Sequence, residues 1–242
     1  MPRLPELSDL CIFEDEHLLF INKPSGISSL EDRNRPGVSV LATVRRQLPE
    51  AQLCHRLDKE TTGILVVAKH NEAYREMAML FEARKVSKHY HAVVAGQLSA
   101  DHMEIKLPLA VGGNGLARVD KREGKQAITY ITTLKSYSHY TLLMCEPVTG
   151  RLHQIRAHLA AVHFPIAADE AYGGKIPMLS ELKKKFKTGK SDTEGGMIKR
   201  VALHAHGLSF TAFEKDYSVV APYPKDFDVL VKLLDRYDST NA

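Results

Sequence analysis

Cysteine is scarce and without pattern: Cys11, Cys54 and Cys145 are the only three in 242 residues, widely spaced and odd in number. No CxxC pair occurs, which argues against a zinc ribbon, a thioredoxin-type motif or a disulfide scaffold. Three reduced, partly buried thiols are expected instead. Long apolar runs are missing too, none approaching the roughly 18–20 residues of a membrane span. The opening MPRLPELSDL has neither an apolar core nor the Arg/Ser-rich character of a targeting peptide, so a cytoplasmic, non-membrane protein is expected. No HExxH is present, and His153, His158 and His163 recur every five residues, a spacing that scatters them around a helix. No metal is expected. Gly112-Gly113-Asn114-Gly115 lacks the Lys-Ser/Thr of a phosphate-binding loop and reads as a hairpin loop. Ser25 and Ser87 lack the setting of a nucleophile elbow.

What is present is globular in character, with 44% hydrophobic and 26% charged residues. A chain of this length buries enough surface to fold without a staple, as one large domain or two small ones. Strands are expected at 11–13 and 18–23 around Glu14-Asp15-Glu16, and at 63–69, where GILVVAK is rich in β-branched residues. Further strands are expected at 90–95, 127–134 and 140–146, with a closing hairpin at 207–213 and 217–221. One helix is predicted from an Asn71 cap to about 84, with Tyr74, Met77 and Phe81 on one side. Two more are predicted: 151–162, with Leu152, Ile155, Leu159 and Val162 as its apolar stripe, and 226–237, with Phe227, Leu230, Leu234 and Tyr237. Strands outnumber helices and do not alternate regularly with them. That favours an α+β fold with a mixed, largely antiparallel sheet and flanking helices.

Two segments carry chemistry. In His55-Arg56-Leu57-Asp58-Lys59-Glu60-Thr61-Thr62-Gly63 the Thr-Thr-Gly turn puts Asp58 at the edge of the sheet, with Arg56 two residues away. A structural ion pair and a functional pair both remain open for these residues. In Gly150-Arg151-Leu152-His153-Gln154-Ile155-Arg156-Ala157-His158-Leu159 the wheel sets Arg156 at the edge of the buried stripe. From there its head reaches a cleft where a carboxylate is a natural partner, unless it is a plain surface arginine.

HRLDKETTGILVVAK resembles the signature of the RluA-type RNA pseudouridine synthases. The resemblance runs on through Lys23-Pro24-Ser25-Gly26, KHYHAVVAG from Lys88, Val119-Asp120 with GKQAIT from Gly124, and GRLHQIRAHL. It ends with Pro165-Ile166 through Asp169, Tyr172-Gly173 and RVALHAHGLSF from Arg200. Two departures stand out: Ala168 replaces the usual Gly before Asp169, and Leu152 replaces a Thr. No S4-like domain is expected before Lys23, only a short arm.

The resemblance implies a pseudouridine synthase fold with two subdomains around a catalytic cleft. It divides the chain into an arm (1–10) and a catalytic domain (11–242), which holds a basic insertion at 174–200 and a C-terminal hairpin and helix at 207–242. It implies an isomerase that detaches uracil from C1′ of a uridine in ribosomal or transfer RNA and rejoins it through C5, with no cofactor. Asp58 is then the nucleophile, whether it attacks base or sugar or first helps form a glycal. Arg156 keeps Asp58 ionised, Tyr90 stacks on the base, and Arg56 fills the space the flipped base leaves. Lys88, Arg151, His153 and Gln154 are candidates for phosphate or base contacts, and a monomer is expected. Two other readings stay in play: an inactive RNA-binding or chaperone-like protein of the same fold, and a nucleoside-directed glycosidase, which needs a second carboxylate such as Glu60.

Charge adds one more candidate. The formal +4 is uneven: 175–200 holds eight basic and three acidic residues, a local +5 that leaves −1 on the remainder. Lys183, Lys184, Lys185 and Lys187 within it are read as a clamp on RNA phosphates, against the plainer reading of a solvated Lys-rich loop.

Overall fold

The computed structural model of the chain describes residues 6–31, 38–183, 186 and 194–240. Along these the order begins α1 (Leu7–Leu10), β1 (Cys11–Glu14), β2 (Leu18–Lys23), α2 (Val40–Arg45), β3 (Gln52–Leu53), β4 (Thr62–Ala68) and α3 (Asn71–Glu82). Six strands follow: β5 (Ser87–Ala95), β6 (Met103–Lys106), β7 (Leu109–Val111), β8 (Ala117–Val119), β9 (Ile128–Ser136) and β10 (Tyr140–Pro147). Then come α4 (Gln154–Ala161), a 3₁₀ turn (Glu170–Tyr172), α5 (Leu179–Leu182), β11 (Leu203–Ala212), β12 (Lys215–Val220) and α6 (Lys225–Tyr237). The class is α+β with largely antiparallel pairing, as expected; β11 runs parallel to β4. Two compact units divide the described residues, one from 1–89 and 204–222, the other from 90–203 and 223–242. The segment 207–242 is therefore shared, its hairpin in the first unit and its helix in the second.

In the first unit the strand order is β1-β2-β4-β11-β12, with β3 also on β4. Every residue of β4 is buried, which is what an unbroken β-branched run predicts for a central strand. Leu18, Phe20, Ile64, Val66, Phe210 and Tyr217 pack with Ala73, Met77 and Leu80 of α3. The α3 cap is His70, not Asn71: its Nδ1 accepts from Ala73 N at 3.3 Å, while Asn71 Oδ1 accepts from Gln52 Nε2 at 2.8 Å. The buried face centres on Ala73, Met77 and Leu80, with Tyr74 and Phe81 partly exposed and packed at its edge. Gly63 is required where it stands. Its φ is +111°, and a Cβ there would lie 2.2 Å from Ala205 O on the parallel partner strand.

In the second unit β5-β10-β9-β6 is antiparallel throughout, and β7 and β8 form the hairpin expected around the Gly-rich loop. Its core includes Val93, Ile131, Leu143, Ile155 and Leu159, joined by Phe227, Leu230 and Leu234 of α6. Helix α4 starts at Gln154, three residues later than predicted, because His153 has φ +49° and cannot continue a right-handed helix. Leu152 therefore leaves the apolar stripe and is 41% exposed.

Candidate active site

The first unit presents Asp58 on a loop whose main chain is tied on both sides of the carboxylate. Ser29 Oγ donates to Leu57 O at 2.7 Å and accepts from Leu57 N at 3.0 Å. After Asp58, Lys59 O accepts from Gly26 N at 2.9 Å and from Lys23 Nζ at 3.1 Å. Asp58 O itself closes the turn by accepting from Thr61 N at 3.1 Å. Lys23 is wholly buried, and its ammonium also donates to Pro24 O (2.9 Å) and Ile27 O (2.8 Å). A buried lysine is costly unless its donors are matched, and here it is the peg that joins the Lys-Pro-Ser-Gly turn to the Asp58 loop. Gly26, at φ +82°, lets that turn close.

Around this loop the histidines are braces. His55 Nε2 accepts from Val66 N at 3.1 Å and its ring packs on Phe81; burial first, then the Lys88 charge, push its pKa down to about 3, so it is neutral. His204 is buried, with Nδ1 on Thr62 Oγ1 (2.9 Å) and Nε2 on Ala221 O (3.2 Å). Arg56 is exposed, and Lys88 is partly buried with its pKa pulled to about 8 by burial and then by Arg84. Glu60, the acid a glycosidase reading would need, has Oε2 engaged by Ser25 Oγ at 3.2 Å.

In the second unit Arg156 is 8% exposed and is oriented by a residue that spacing does not single out. Its Nε and Nη2 donate to Asp169 Oδ2 and Oδ1 at 2.7 and 2.8 Å, a bidentate pair with Asp169 only 1% exposed. The Tyr172 ring lies 4.8 Å from the guanidinium carbon. The Tyr172 hydroxyl accepts from Ala117 N at 2.9 Å and meets His153 Nδ1 at 3.1 Å. Asp169 is set by Ala168, whose φ is +60°, and by Gly174, where a Cβ would sit 1.9 Å from Ile166 O. Tyr90 stands on β5 opposite Cys145 of β10 and is partly buried.

The remaining predicted residues separate. Gln154 is buried with its amide fully used: Oε1 accepts from Thr149 Oγ1 (2.7 Å) and Arg151 N (3.0 Å), Nε2 donates to Ile128 O (2.9 Å) and Thr129 Oγ1 (3.0 Å). It shapes the entry to α4 with its amide engaged inside the fold. Arg151 is exposed, its Nε on Gln126 O at 3.1 Å. Lys183 Nζ lies 5.5 Å over the Tyr237 ring, whereas Lys184, Lys185 and Lys187 fall outside the described residues. Arg200, counted in the basic excess, is buried and bidentate to Asp226 at 2.7 and 2.8 Å, so its charge is spent inside the fold. Lys23, Ser29, Asp169 and Tyr172 are the supporting residues that the sequence did not assign a role. The only signal for Lys23, Asp169 and Tyr172 is membership of the Lys-Pro-x-Gly and Asp-x-x-Tyr-Gly segments, and Ser29 carries none.

Residues 17–161 match the family model of RNA pseudouridylate synthases. The chain belongs to this family. Ribosomal large subunit pseudouridine synthase C of Escherichia coli (strain K12) is 34% identical over 219 residues, which cover 87% of this chain and 65% of that protein. The protein of the same name from Vibrio cholerae is 34% identical over 227 residues, covering 92% of this chain and 68% of its own length. The chain thus spans about two thirds of the length of these curated relatives. Human RNA Pseudouridylate Synthase Domain Containing 4 superimposes with a TM-score of 0.72 at 23% identity, over 97% of this chain and 96% of that one, which shows the shared fold.

Proposed function

We propose that the protein is an RNA pseudouridine synthase that isomerises uridine in ribosomal RNA. Membership of the family supports the reaction, and the names of the relatives support the ribosomal target. The observation that carries the assignment to Asp58 is the loop that holds it. Leu57, Asp58 and Lys59 are all fixed through their main chain, which pre-positions the carboxylate by the backbone beneath it. In the reaction the N1–C1′ bond of uridine breaks, the base turns, and a C5–C1′ bond forms. N1 gains a proton and C5 loses one, so atoms and charge balance with no cofactor. The target base leaves its stack to react, at a cost of a few kcal/mol.

Arg156, held at its head by Asp169, is the catalytic cation. A guanidinium has five N–H donors and Asp169 takes two of them. Tyr90 stacks on the base and Arg56, exposed at the loop, fills the gap in the RNA. Lys88, Arg151 and His153 bind the surrounding backbone, with the 183–187 lysines as an outer clamp. The protein works as a cytoplasmic monomer; no helix among the described residues is long and apolar enough to cross a membrane.

The test is to incubate the protein with unmodified large-subunit ribosomal RNA and with unmodified transfer RNA, then map pseudouridine chemically. Ribosomal RNA is expected to gain pseudouridine at defined positions, and Asp58→Ala to gain none. Absence of product with every RNA would sink the reaction. Full activity of Asp58→Ala would sink the nucleophile. Release of free uracil would point to a glycosidase, and modification of transfer RNA alone would move the substrate.

A further inference from the structure

The turn that starts α4 is built in a conformation its residue disfavours. His153 has φ +49° and ψ 24°, left-handed values that cost any residue bearing a Cβ. Strain of this kind persists only where neighbours over-determine it, and it gathers at functional sites. Here two side chains hold the bend. Gln154 ties its amide to Thr149 Oγ1 and Arg151 N on one side of it. His153 sets its own Nδ1 against the Tyr172 hydroxyl, 3.1 Å away, with the two rings edge to face at 86°.

The effect of the bend is felt one turn further on. His153 O accepts from Ala157 N at 2.9 Å, so this residue sets the direction in which α4 leaves. Arg156 stands three residues along, on the side of the helix that His153 shares. Both therefore meet one ring. Tyr172 turns its hydroxyl to His153 and to Ala117 N of β8, and its face to the Arg156 guanidinium at 4.8 Å. Tyr172 N also donates to Asp169 O at 3.0 Å, which joins this ring to the carboxylate that binds Arg156. A ring in contact by its face alone can slide across a guanidinium, whereas a hydroxyl bonded from two elements fixes it lengthwise. We infer that His153 is a positioning residue: through the Tyr172 hydroxyl it fixes where the Arg156 head lies. The inference rests on the proposed part of Arg156 in the reaction, and is separate from the RNA-backbone contact proposed for His153. It also gives a reason for a histidine at this bend, since a glycine would suit the backbone but offer Tyr172 no bond.

The test compares His153→Gly, His153→Asn and Tyr172→Phe with the parent chain on unmodified ribosomal RNA. The first keeps the left-handed backbone and loses the bond. The second tolerates that backbone and carries an amide atom where Nδ1 stands. The third keeps the ring over the guanidinium and deletes the hydroxyl. Single-turnover rates at saturating enzyme are read beside RNA dissociation constants at fixed salt, with thermal unfolding giving the folded fraction. His153→Gly and Tyr172→Phe are each expected to slow the saturating rate by about 10–100-fold. Tyr172→Phe should move the dissociation constant by less than about twofold, and His153→Asn should recover most of the rate that His153→Gly loses. The double variant, His153→Gly with Tyr172→Phe, should be no slower than the slower single, because both remove one bond. A rate that holds in the folded fraction of either single variant overturns the inference and leaves the reaction standing. So does a His153→Gly variant whose only defect is weaker RNA binding, which makes the imidazole a phosphate contact alone. Losses that multiply in the double variant, or a His153→Asn variant as slow as His153→Gly, overturn it as well. A parent that modifies no RNA removes both proposals together.

Discussion

The two candidate catalytic groups are held in opposite ways. Asp58 sits on a loop secured through its main chain, by one hydroxyl, one ammonium and one glycine N–H. Arg156 sits on a helix, and its side chain is gripped directly by Asp169 and Tyr172. The difference follows from their proposed jobs. A nucleophile must meet substrate with its own oxygens, so the protein fixes the backbone beneath it. A positioning cation can surrender part of its donor fork and still project its charge, so it is fixed at the head.

That contrast is open to attack by mutation, beginning with the strongest grip. Asp169→Ala leaves a guanidinium buried without its bidentate partner and is expected to destabilise the second unit by about 3–5 kcal/mol, read from denaturant midpoints. A loss below about 1 kcal/mol would mean that the arginine does not need this carboxylate. Lys23→Met strips three carbonyls of one shared donor and is expected to cost about 2–4 kcal/mol. Turnover should fall further than stability alone explains, because Lys59 beside Asp58 is released. If turnover at saturating substrate is retained in the folded fraction, the main-chain anchoring of Asp58 is not what sets its position.

A third test moves to the turn between β1 and β2. Burial alone would raise Asp15, but Leu18 N, the Tyr217 hydroxyl, His17 N and Lys215 outweigh it and hold the pKa down at about 2. Relative to an unfolded value of 3.8, and with solvent screening allowed for, this is worth about 1–2 kcal/mol. The contribution is present in full above pH 3.8 and is lost as pH falls through about 2. Asp15→Asn should therefore weaken the protein at pH 7 and have little effect near pH 2; a penalty independent of pH would assign the residue a purely steric role. The smallest expected effect is a gain. Ala168→Gly relieves a left-handed backbone of about 1–2 kcal/mol while loosening the unfolded chain by up to about 1 kcal/mol, so a net stabilisation of about 0.5–1 kcal/mol is expected in the same denaturant assay.

The strands were legible where side chains announced them. GILVVAK became the wholly buried β4, and the pattern of Phe227, Leu230 and Leu234 became the inner face of α6. Helix α2 and strands β3 and β6 escaped because six, two and four residues are too few for a period to show. The start of α4 was misjudged for a local reason. Gln154 folds its amide back onto Thr149 and Arg151, and this turn, not the apolar stripe, decides where the helix begins. Asp58 and Arg156 could be named from motifs, but Asp169 could not be assigned to Arg156, since a pair 13 residues apart is made by tertiary folding. The charge count is blind to pairing for the same reason. It included Arg200 in the local excess, and only the fold reveals its bidentate pair with Asp226.

The first unit is stitched from segments far apart in the chain, and this sets a timetable for its birth. Thr62 meets His204 across 142 residues, and Asn22 meets Pro222 across 200. At about 5–20 residues per second of synthesis, the strand that follows the Asp58 turn waits roughly 7–28 s for its parallel partner to be made. During that interval β4, built to be covered on every side, has one flank open. On the ribosome the Asp58 loop is thus translated long before the strand that completes its sheet.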